Sequence, residues 1–365
     1  MSLKKDKFTS FDKKIMHFAI NLANDNKGLT GTNPSVGCVI VKDKKIISYG
    51  VTNINGRPHA EILALEKNKK QNFGSTVYLT LEPCTHYGKT PPCTEALINS
   101  KIKKVFFSIY DFDYRTKNKS KKKLNSYKIL VKKGLLVNEA NKLYKNYNFI
   151  RKNNFPYITG KIACSSNFFI LKNKTFITNE HSRKISHILR YKNQGILTSY
   201  KTINSDNPNL NCRLNGLEKF SPKILIIDKD LKINIDSKII KNSKKFRTFI
   251  FHNSTNLKKI KKLKLYGLKL IKHHISFNGY FDLNEIFKKI YKLGIHNVLV
   301  ECGKELTYKI LKSNLFNEFY LFKSNKKLTN KGKISVLSIN KNLKIFNNKK
   351  SVNTYLDKDT LIHYY

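Results

Sequence analysis

The 365-residue chain lacks any hydrophobic stretch long enough to cross a membrane. A spanning helix needs roughly 20 consecutive apolar residues, and no run in this sequence approaches that length. The first ten residues, MSLKKDKFTS, contain no apolar segment of the kind found in secretory signal peptides. Six cysteines spread over the whole length do not indicate a disulfide framework. The sequence therefore predicts a soluble, cytoplasmic protein with reduced thiols and no membrane partner.

Acidic residues are scarce. The chain has 24 Asp and Glu against 71 Lys and Arg, a formal net charge of +47, which raises the hypothesis of nucleic-acid binding. Only seven of these basic residues are Arg, and the lysines are spread along the whole chain. Arg binds phosphates and guanine edges through two hydrogen bonds at once, so a nucleic-acid surface is expected to favour Arg. This composition therefore favours a general compositional drift toward lysine over a nucleic-acid surface. Nucleic acid is not the expected partner, but an RNA-binding role stays open, and salt-dependent RNA affinity would reveal it.

The sequence also lacks a G-x-G-x-x-G motif, internal repeats and long low-complexity tracts. What it has is an alternation of short apolar runs and amphipathic segments, which is typical of layered α/β domains. Its length exceeds the ~150 residues of a typical domain by more than twofold. We predict two α/β domains, 1–145 and 146–365, with the polar, basic stretch 141–154 as the linker. The sequence does not decide between a monomer and a homo-oligomer.

Hydrophobic patterns place the elements of each domain. In the first domain they predict, in chain order, a helix over 10–26, a hairpin over 36–41 and 45–52, a helix beginning near residue 59, a strand over 76–81, a helix over 93–98 and a strand over 104–110. In the second they predict strands over 157–164, 195–199, 223–228, 247–251, 267–271 and 297–301, and helices over 180–192, 282–293 and 304–312. The lysine-rich run 119–123 is expected to be a solvated loop.

One histidine, two cysteines and one glutamate carry the strongest chemical signal. His59 and Glu61 form an H-x-E motif, and Cys84 and Cys93 each follow a proline. One imidazole and two thiolates fill three corners of a zinc tetrahedron and leave the fourth for water, whose pKa zinc lowers toward ~7. A carboxylate two residues from the histidine can move the proton of that water to a leaving amine. H-x-E followed by a paired-cysteine motif is the signature of zinc nucleobase deaminases, with Glu61 as proton carrier.

The spacing of the two cysteines differs from the short form of that signature. Cys84 and Cys93 enclose eight residues, THYGKTPP, so a loop separates ligands that the short motif places on one helical turn. Pro58 precedes His59, and Pro92 precedes Cys93, so both ligands are expected at helix N-termini, where the helix dipole favours a thiolate. A closed structural zinc site, or two core cysteines near a buried histidine by chance, are the alternatives.

Three segments resemble a known family. NPSVGC at 33–38, PHAE at 58–61 and TLEPCTHYGKTPPC at 80–93 are similar to the deaminase half of the bifunctional riboflavin-biosynthesis protein. The resemblance implies a cytidine-deaminase-like three-layer domain that removes an amino group from a phosphorylated diaminopyrimidinone ribosylamine. It implies that His59, Cys84 and Cys93 bind zinc, that Glu61 moves the proton, and that Asn33 contacts the small-molecule pyrimidine substrate.

The second half resembles the reductase of the same family. The resemblance rests on the segment TINSDNPNLNCR at 202–213, the arginines of the helix at 180–192, and a strand that reaches Gly303 at a helix N-terminus, where backbone N–H groups can receive a phosphate. It implies a dihydrofolate-reductase-like fold that reduces the ribosyl group to a ribityl chain with NADPH. The implied NADPH contacts are Ala163, Phe176, Thr202, Asp206 and Gly303. The implied substrate contacts are Arg190, Leu210, Arg213 and Glu301.

Several positions in this half depart from the family pattern. Asn167 and Phe168 stand where the family has Asp and Gly, Phe176 stands where Trp is usual, and Lys174 replaces a small hydroxyl residue. Glu305 places a carboxylate beside the expected phosphate turn, where it would repel NADPH unless a lysine neutralises it. A deaminase with a decayed reductase domain, or an RNA-binding base deaminase, therefore remain the alternatives to the bifunctional enzyme.

Overall fold

The computed structural model describes residues 8–171, 176–245, 247–329, 333–352 and 356–365. The chain divides into two compact units between Asn154 and Phe155, nine residues later than the boundary expected from the sequence. No helix among the described residues is both long and apolar enough to span a bilayer.

The first unit is built on one sheet. Its strands are β1 (Gly37–Lys42), β2 (Lys45–Val51), β3 (Thr76–Leu81), β4 (Lys104–Ile109) and β5 (Leu130–Lys133). They lie in the order β2-β1-β3-β4-β5, with β1 antiparallel to both its neighbours and β3, β4 and β5 parallel. The carboxyl ends of β3 and β4 therefore share one edge of the sheet.

Helices cover both faces of this sheet. They are α1 (Ser10–Asp25), α2 (Ala60–Lys67), α3 (Cys93–Asn99), α4 (Ser120–Ser126) and α5 (Val137–Asn153). The alternation of β1 sends Cys38 and Ile40 to the core under α2 and α3, and Val39 and Val41 to the core under α1. The result is the predicted three-layer α/β/α domain.

Two expectations for this unit were wrong. The stretch 141–154 is not a linker, because it continues α5, whose Leu143, Tyr144 and Ile150 are buried. The run 119–123 is not a solvated loop, because α4 begins at Ser120 and buries both Ser120 and Leu124. In both segments the many polar residues occupy the exposed face of an amphipathic helix, and a few buried residues determine the structure.

The second unit is built on a larger sheet. Its strands are β6 (Tyr157–Cys164), β7 (Phe169–Leu171), β8 (Gly195–Ser199), β9 (Lys223–Ile227), β10 (Thr248–His252), β11 (Lys269–Lys272), β12 (Asn297–Val300), β13 (Glu318–Lys323), β14 (Lys333–Ser335), β15 (Lys349–Ser351) and β16 (Thr360–Tyr364). Nine of them lie in the order β11-β10-β9-β8-β12-β6-β13-β16-β15, while β7 pairs with β14. The first seven strands of this order, from β11 across the sheet to β13, are parallel to one another. β16 is antiparallel to both its neighbours.

Helices again cover both faces of the sheet. They are α6 (Glu180–Tyr191), α7 (Tyr200–Asp206), α8 (Lys238–Lys241), α9 (Leu257–Leu265), α10 (Leu283–Lys292), α11 (Lys304–Lys312) and α12 (Leu337–Asn342). Along β12, Val298 and Val300 join the core that contains α10 and α11, whereas Leu299 joins the core that contains α6 and α9. The predicted helices and strands of both units are confirmed to within two residues at each end.

Candidate active sites

The three proposed zinc ligands come from three separate elements of the first unit. His59 is the N-cap of α2, Cys84 follows the end of β3, and Cys93 is the first residue of α3. The backbone N–H of Cys93 donates to Sγ of Cys84 at 3.2 Å, and the backbone N–H of Thr94 donates to the carbonyl of Cys84 at 3.2 Å. The N-terminus of α3 therefore holds the Cys84 segment in place.

The donor atoms fit a tetrahedral metal ion. Nδ1 of His59 lies 3.2 Å from Sγ of Cys93 and 3.7 Å from Sγ of Cys84. Separations of this size suit ligands on one ion with bonds of about 2.0 Å to nitrogen and about 2.3 Å to sulfur. Within the described residues, this is the one group of three or more His, Cys, Asp or Glu side chains with ligand atoms so close together. In the described part of the chain no fourth His, Cys, Asp or Glu joins this group, which favours an open zinc site over a closed structural one.

Glu61 lies beside this group. Its side chain is buried in the first turn of α2, two residues from His59. Burial raises the pKa of Glu61, and the neighbouring His59 opposes that shift. A carboxyl group whose pKa is raised can hold and release a proton near neutral pH.

Asn33 is tied to the loop that leads to His59. Its Nδ2 donates to the carbonyl of Gly56 at 2.9 Å. Gly56 has φ +89°, and a Cβ there would lie 2.6 Å from Nδ2 of Asn33 and 2.7 Å from the carbonyl of Thr30. Only glycine fits this position, so the Asn33 loop and the loop before His59 are in close contact.

The eight-residue loop between the cysteines is held at several points. The hydroxyl of Tyr87 donates to Glu95 of α3 at 2.7 Å. Nδ1 of His86 lies 3.0 Å from Oγ1 of Thr116, and the guanidinium of Arg57 donates to Thr90. These hydrogen bonds hold the inserted loop in place beside the proposed zinc ligands.

Glu82 is a structural residue that the sequence analysis did not identify. Its carboxylate is buried and accepts hydrogen bonds from the backbone N–H groups of Asp111, Asn118 and Ser120, and from the hydroxyl of Ser120, at 2.8–3.2 Å. Glu82 lies two residues before Cys84, so it ties the ligand segment to the loop after β4. A glutamate directly after an apolar strand was the sequence signal for such a role.

In the second unit, one cavity of about 1180 Å³ contains all the residues expected at the reductase site. The expected cofactor and substrate contacts that line it are Ala163, Phe176, Arg190, Thr202, Asp206, Leu210, Arg213, Glu301 and Gly303. The volume exceeds the roughly 300–1,000 Å³ of a typical ligand pocket, as a site for a dinucleotide and a second molecule requires. Lys174 lies outside the described residues.

A largely buried ion cluster forms one wall of the cavity. Arg190 makes a bidentate pair with Glu301, with Nε–Oε1 and Nη2–Oε2 distances of 2.8 and 3.0 Å. Nζ of Lys161 lies 3.7 Å from the same carboxylate. Burial by itself would raise the pKa of Glu301, but the charges of Arg190 and Lys161 outweigh it and lower that pKa to about 2. Glu301 is therefore ionised at neutral pH.

The other arginines of the cavity differ from Arg190 in their contacts. Arg190 also donates to the carbonyl of Asn211 at 3.1 Å, so each of its terminal nitrogens has a protein acceptor. Arg213 is exposed, and its guanidinium donates to Oδ1 of Asn211 at 3.2 Å. The backbone N–H of Arg213 donates to Nδ1 of His187 at 3.3 Å. His187 was not expected at this site.

The departures from the family pattern have local explanations. Asn167 accepts from the hydroxyl of Ser165 at 2.7 Å and exchanges two hydrogen bonds with the backbone of Leu328, so the amide holds the turn. Phe168 adopts φ 59°, the left-handed conformation that favours glycine, and its ring packs against the core. Glu305 pairs with Lys201 at 2.8 Å, which supplies the neutralising lysine.

Phe176 is exposed, and the guanidinium of Arg183 lies over its ring at 4.5 Å. The phenyl ring therefore offers an aromatic surface at the cavity in place of the usual indole.

Two family models match the chain. The model described as cytidine and deoxycytidylate deaminase zinc-binding region matches residues 9–109, and the model described as RibD C-terminal domain matches residues 170–336. The first match contains the zinc ligands, and the second contains the residues of the cavity from Phe176 to Glu305.

Whole-length relatives and solved structures agree with these matches. The riboflavin biosynthesis protein RibD of Aquifex aeolicus is 34% identical over 364 residues, which cover 97% of this chain and 98% of that protein. Acinetobacter baumannii RibD has a solved structure with 27% identity and a TM-score of 0.82, over 97% of this chain and 98% of that chain. A diaminohydroxyphosphoribosylaminopyrimidine deaminase/5-amino-6-(5-phosphoribosylamino)uracil reductase from Thermotoga maritima has 28% identity and a TM-score of 0.80 over the same shares.

Proposed function

The chain belongs to the RibD family of riboflavin biosynthesis, whose members join a zinc-dependent deaminase to an NADPH-dependent reductase, and we propose that the residues gathered at its two sites carry these two reactions. The substrate of the first site is a diaminohydroxyphosphoribosylaminopyrimidine, and that of the second is 5-amino-6-(5-phosphoribosylamino)uracil. The observation that carries the proposal is the convergence of His59, Cys84, Cys93 and a buried Glu61 from separate elements.

Hydrolytic deamination replaces an exocyclic amino group by the oxygen of water, so a proton of that water must reach the departing amine. His59, Cys84 and Cys93 hold the zinc, which when bound polarises a water and lowers its pKa. Glu61 is the carboxylate that takes the proton and returns it to the amine. Asn33, fixed by its hydrogen bond to Gly56, contacts the pyrimidine.

Reduction of the cyclic ribosylamine adds a hydride to the anomeric carbon and a proton to the ring oxygen that leaves it. Ala163, Phe176, Thr202, Asp206 and the Gly303 turn would hold NADPH, which would supply the hydride. The nine-residue helix α11 begins directly after Gly303, so its first backbone N–H groups can receive a phosphate.

The charged groups of the cavity bind the substrate and supply the proton. Arg213, whose guanidinium is exposed, binds the substrate phosphate. Glu301, held ionised by Arg190, accepts hydrogen bonds from ribose hydroxyls, and Leu210 contacts the substrate beside them. Lys161 is largely shielded from solvent, with 14% of its side chain exposed, and this desolvation lowers its pKa, so its ammonium group is a suitable proton donor beside the ribose.

The two alternative functions are less well supported. A decayed reductase would not be expected to keep a complete buried Arg190–Glu301–Lys161 cluster in the wall of an open cavity. An RNA-editing enzyme has no need of a reductase domain, which this chain has. We further propose that the enzyme acts on small molecules in the cytoplasm. Sedimentation analysis of the purified protein tests whether it forms a homo-oligomer.

Purified protein tests the proposal through its two half-reactions. We expect about one zinc per chain, release of ammonia from the diaminopyrimidine phosphate, and oxidation of NADPH with the deaminated product. Ammonia release without NADPH oxidation would support the deaminase with a decayed reductase. Deamination of RNA together with a salt-dependent RNA affinity would support the base-editing alternative.

A further inference from the structure

The cavity of the second unit lies along the carboxyl ends of four adjacent strands. Its lining includes Ala163 of β6, Glu301 after β12, Ser199 at the end of β8 and Ile227 at the end of β9. These strands are parallel and neighbours in the order β9-β8-β12-β6. Three strand spacings span roughly 14 Å. A dinucleotide can therefore lie across this edge, which is where α/β sheets bind such ligands.

The two ends of the cavity have different charged groups. The end at β6 and β12 holds the Lys161–Glu301–Arg190 cluster, where the substrate is proposed to bind. The nicotinamide must meet the substrate there. The described residues that line the cavity include none from β13, the strand on the other side of β6. The adenosine end of the cofactor must consequently extend past Gly303 toward β8 and β9.

Two lysines stand at that far end. Lys201 is in the first turn of α7, directly after β8, and Lys229 follows β9 by two residues. Both line the cavity. Nζ of Lys201 pairs with Glu305 at 2.8 Å, and Nζ of Lys229 donates to the carbonyl of Gly279 at 3.2 Å. The side chain of Lys201 is 60% exposed to solvent, and that of Lys229 is 40% exposed.

We propose that Lys201 and Lys229 bind the 2′-phosphate of NADPH and thereby make the reductase select NADPH over NADH. This inference rests on the proposed function, because it requires the nicotinamide to lie at the substrate end. The 2′-phosphate is the one group that distinguishes the two cofactors, and it is a dianion, so cations at the adenosine end can select for it through charge-assisted hydrogen bonds.

Two other charged groups of the cavity lining have contacts of their own. Nζ of Lys309 lies 3.3 Å from the centre of the Tyr280 ring. Asp230 lies 4.0 Å from Nζ of Lys229 and 3.5 Å from Nζ of Lys232, and these two cations reduce its repulsion of an incoming phosphate. Glu305 competes with the phosphate for Lys201, so it weakens NADPH binding relative to NADH binding.

Calorimetric titration of the zinc-loaded, full-length protein tests the assignment. The ligands are NADPH, NADH, adenosine 2′,5′-bisphosphate and adenosine 5′-monophosphate. We expect Lys201→Gln and Lys229→Gln each to weaken binding of NADPH and of the bisphosphate about three- to tenfold, with NADH and the monophosphate unchanged. Glu305→Gln should strengthen NADPH binding and leave NADH binding unchanged. Higher salt should reduce all these differences.

Lys288→Gln is the matched control. Lys288 pairs with Glu285 at 2.8 Å on the exposed face of α10, in an ion pair like that of Lys201 with Glu305, but it does not line the cavity. This variant should bind all four ligands like the unmutated protein.

Equal losses for NADPH and NADH in the two lysine variants, or a bisphosphate that binds no tighter than the monophosphate, would overturn the assignment of the phosphate site. Failure of the unmutated protein to bind either dinucleotide would instead overturn the proposed reductase function. Thermal unfolding of each variant shows whether a loss comes from misfolding.

Discussion

The hydroxyl of Tyr144 lies 2.6 Å from Oγ1 of Thr80, and it donates to the carbonyl of Ser35 at 2.9 Å. Thr80 in turn accepts from the backbone N–H of Gly37 at 3.0 Å. Tyr144 belongs to α5, so a helix that looked like a linker joins the loop that carries Asn33 to the strand that leads to Cys84. We therefore expect the distance between the loop that carries Asn33 and the segment that carries Cys84 to depend on this tyrosine.

Tyr144→Phe should therefore impair substrate binding more than the chemical step. The change leaves the Ser35 carbonyl and the Thr80 hydroxyl without their partner in a buried site, which costs about 1–3 kcal/mol of stability. We expect KM for deamination to rise several-fold, with kcat less affected, zinc content unchanged and reduction unchanged. Steady-state kinetics of both half-reactions measure these effects.

Tyr78→Phe is the control for this variant. The hydroxyl of Tyr78 donates to Asp12 at 2.6 Å and joins β3 to α1 on the same face of the sheet. Its loss should not raise KM, and it should cost less stability than the loss of the Tyr144 hydroxyl, because Asp12 is only partly buried and keeps its hydrogen bonds from Thr9. If the two variants change KM equally, Tyr144 has no special part in positioning the substrate loop.

Glu61→Gln should separate zinc binding from proton transfer. The amide keeps the shape of the side chain but cannot carry the proton, so deamination should fall by at least the ~10²–10⁴ attributed to general acid–base catalysis. Zinc should remain at about one per chain, as measured by metal analysis.

Cys93→Ser should lose both zinc and deamination, because a ligand is removed.

A Glu61→Gln protein without zinc would mean that the carboxylate is itself a ligand. Normal deamination by that protein would remove Glu61 from the mechanism.

Arg213→Lys tests the phosphate contact of the reductase. The variant keeps the charge but loses the bidentate geometry, so kcat/KM for reduction should fall by the equivalent of about 1–3 kcal/mol. Stability and deamination should not change, because Arg213 is exposed and lies in the second unit.

Arg190→Met provides the contrast within the same cavity. Removing one partner of a buried ion pair typically costs about 3–5 kcal/mol. Here Lys161 still faces Glu301, so we expect the lower part of that range, measured by denaturant unfolding. A stability loss in Arg213→Lys as large as that in Arg190→Met would show that the two arginines do not have the different roles assigned here.

His187 should make the stability of the second unit depend on pH. Burial, together with the charges of Arg190 and Arg213, lowers the pKa of His187 from 6.5 to about 4, with smaller opposing contributions from a hydrogen bond to the backbone of Asn211 and from the charge of Glu301. Between these values the unfolded chain binds a proton that the folded chain does not. The free energy of unfolding should therefore fall as pH drops from about 6.5 to about 4, by on the order of 1–3 kcal/mol from this group.

His187→Gln should flatten this part of the stability curve, as measured by denaturant unfolding at several pH values. His181→Gln is the control, since His181 is exposed on the same helix. An unchanged slope in His187→Gln would contradict the shifted pKa.

The sequence by itself determined the deaminase chemistry. His59, Cys84 and Cys93 were predicted as zinc ligands, and Glu61 as the proton carrier, because zinc accepts few ligand types and because prolines and strand patterns fix the local backbone around them. The alternating patterns likewise determined the α/β class of both units, since periodicity records which face of an element is buried.

Only the tertiary structure decided how distant residues pair. Arg190 and Glu301 are 111 positions apart, and Lys201 and Glu305 are 104 positions apart. No local sequence pattern therefore shows that Arg190 is already paired or that Glu305 is neutralised. The same holds for α5, whose polar composition suggested a linker while three-dimensional packing buried Tyr144 beside Thr80. Secondary structure follows from short-range preferences, but burial and charge pairing are properties of the folded chain, because they depend on which elements the fold brings together.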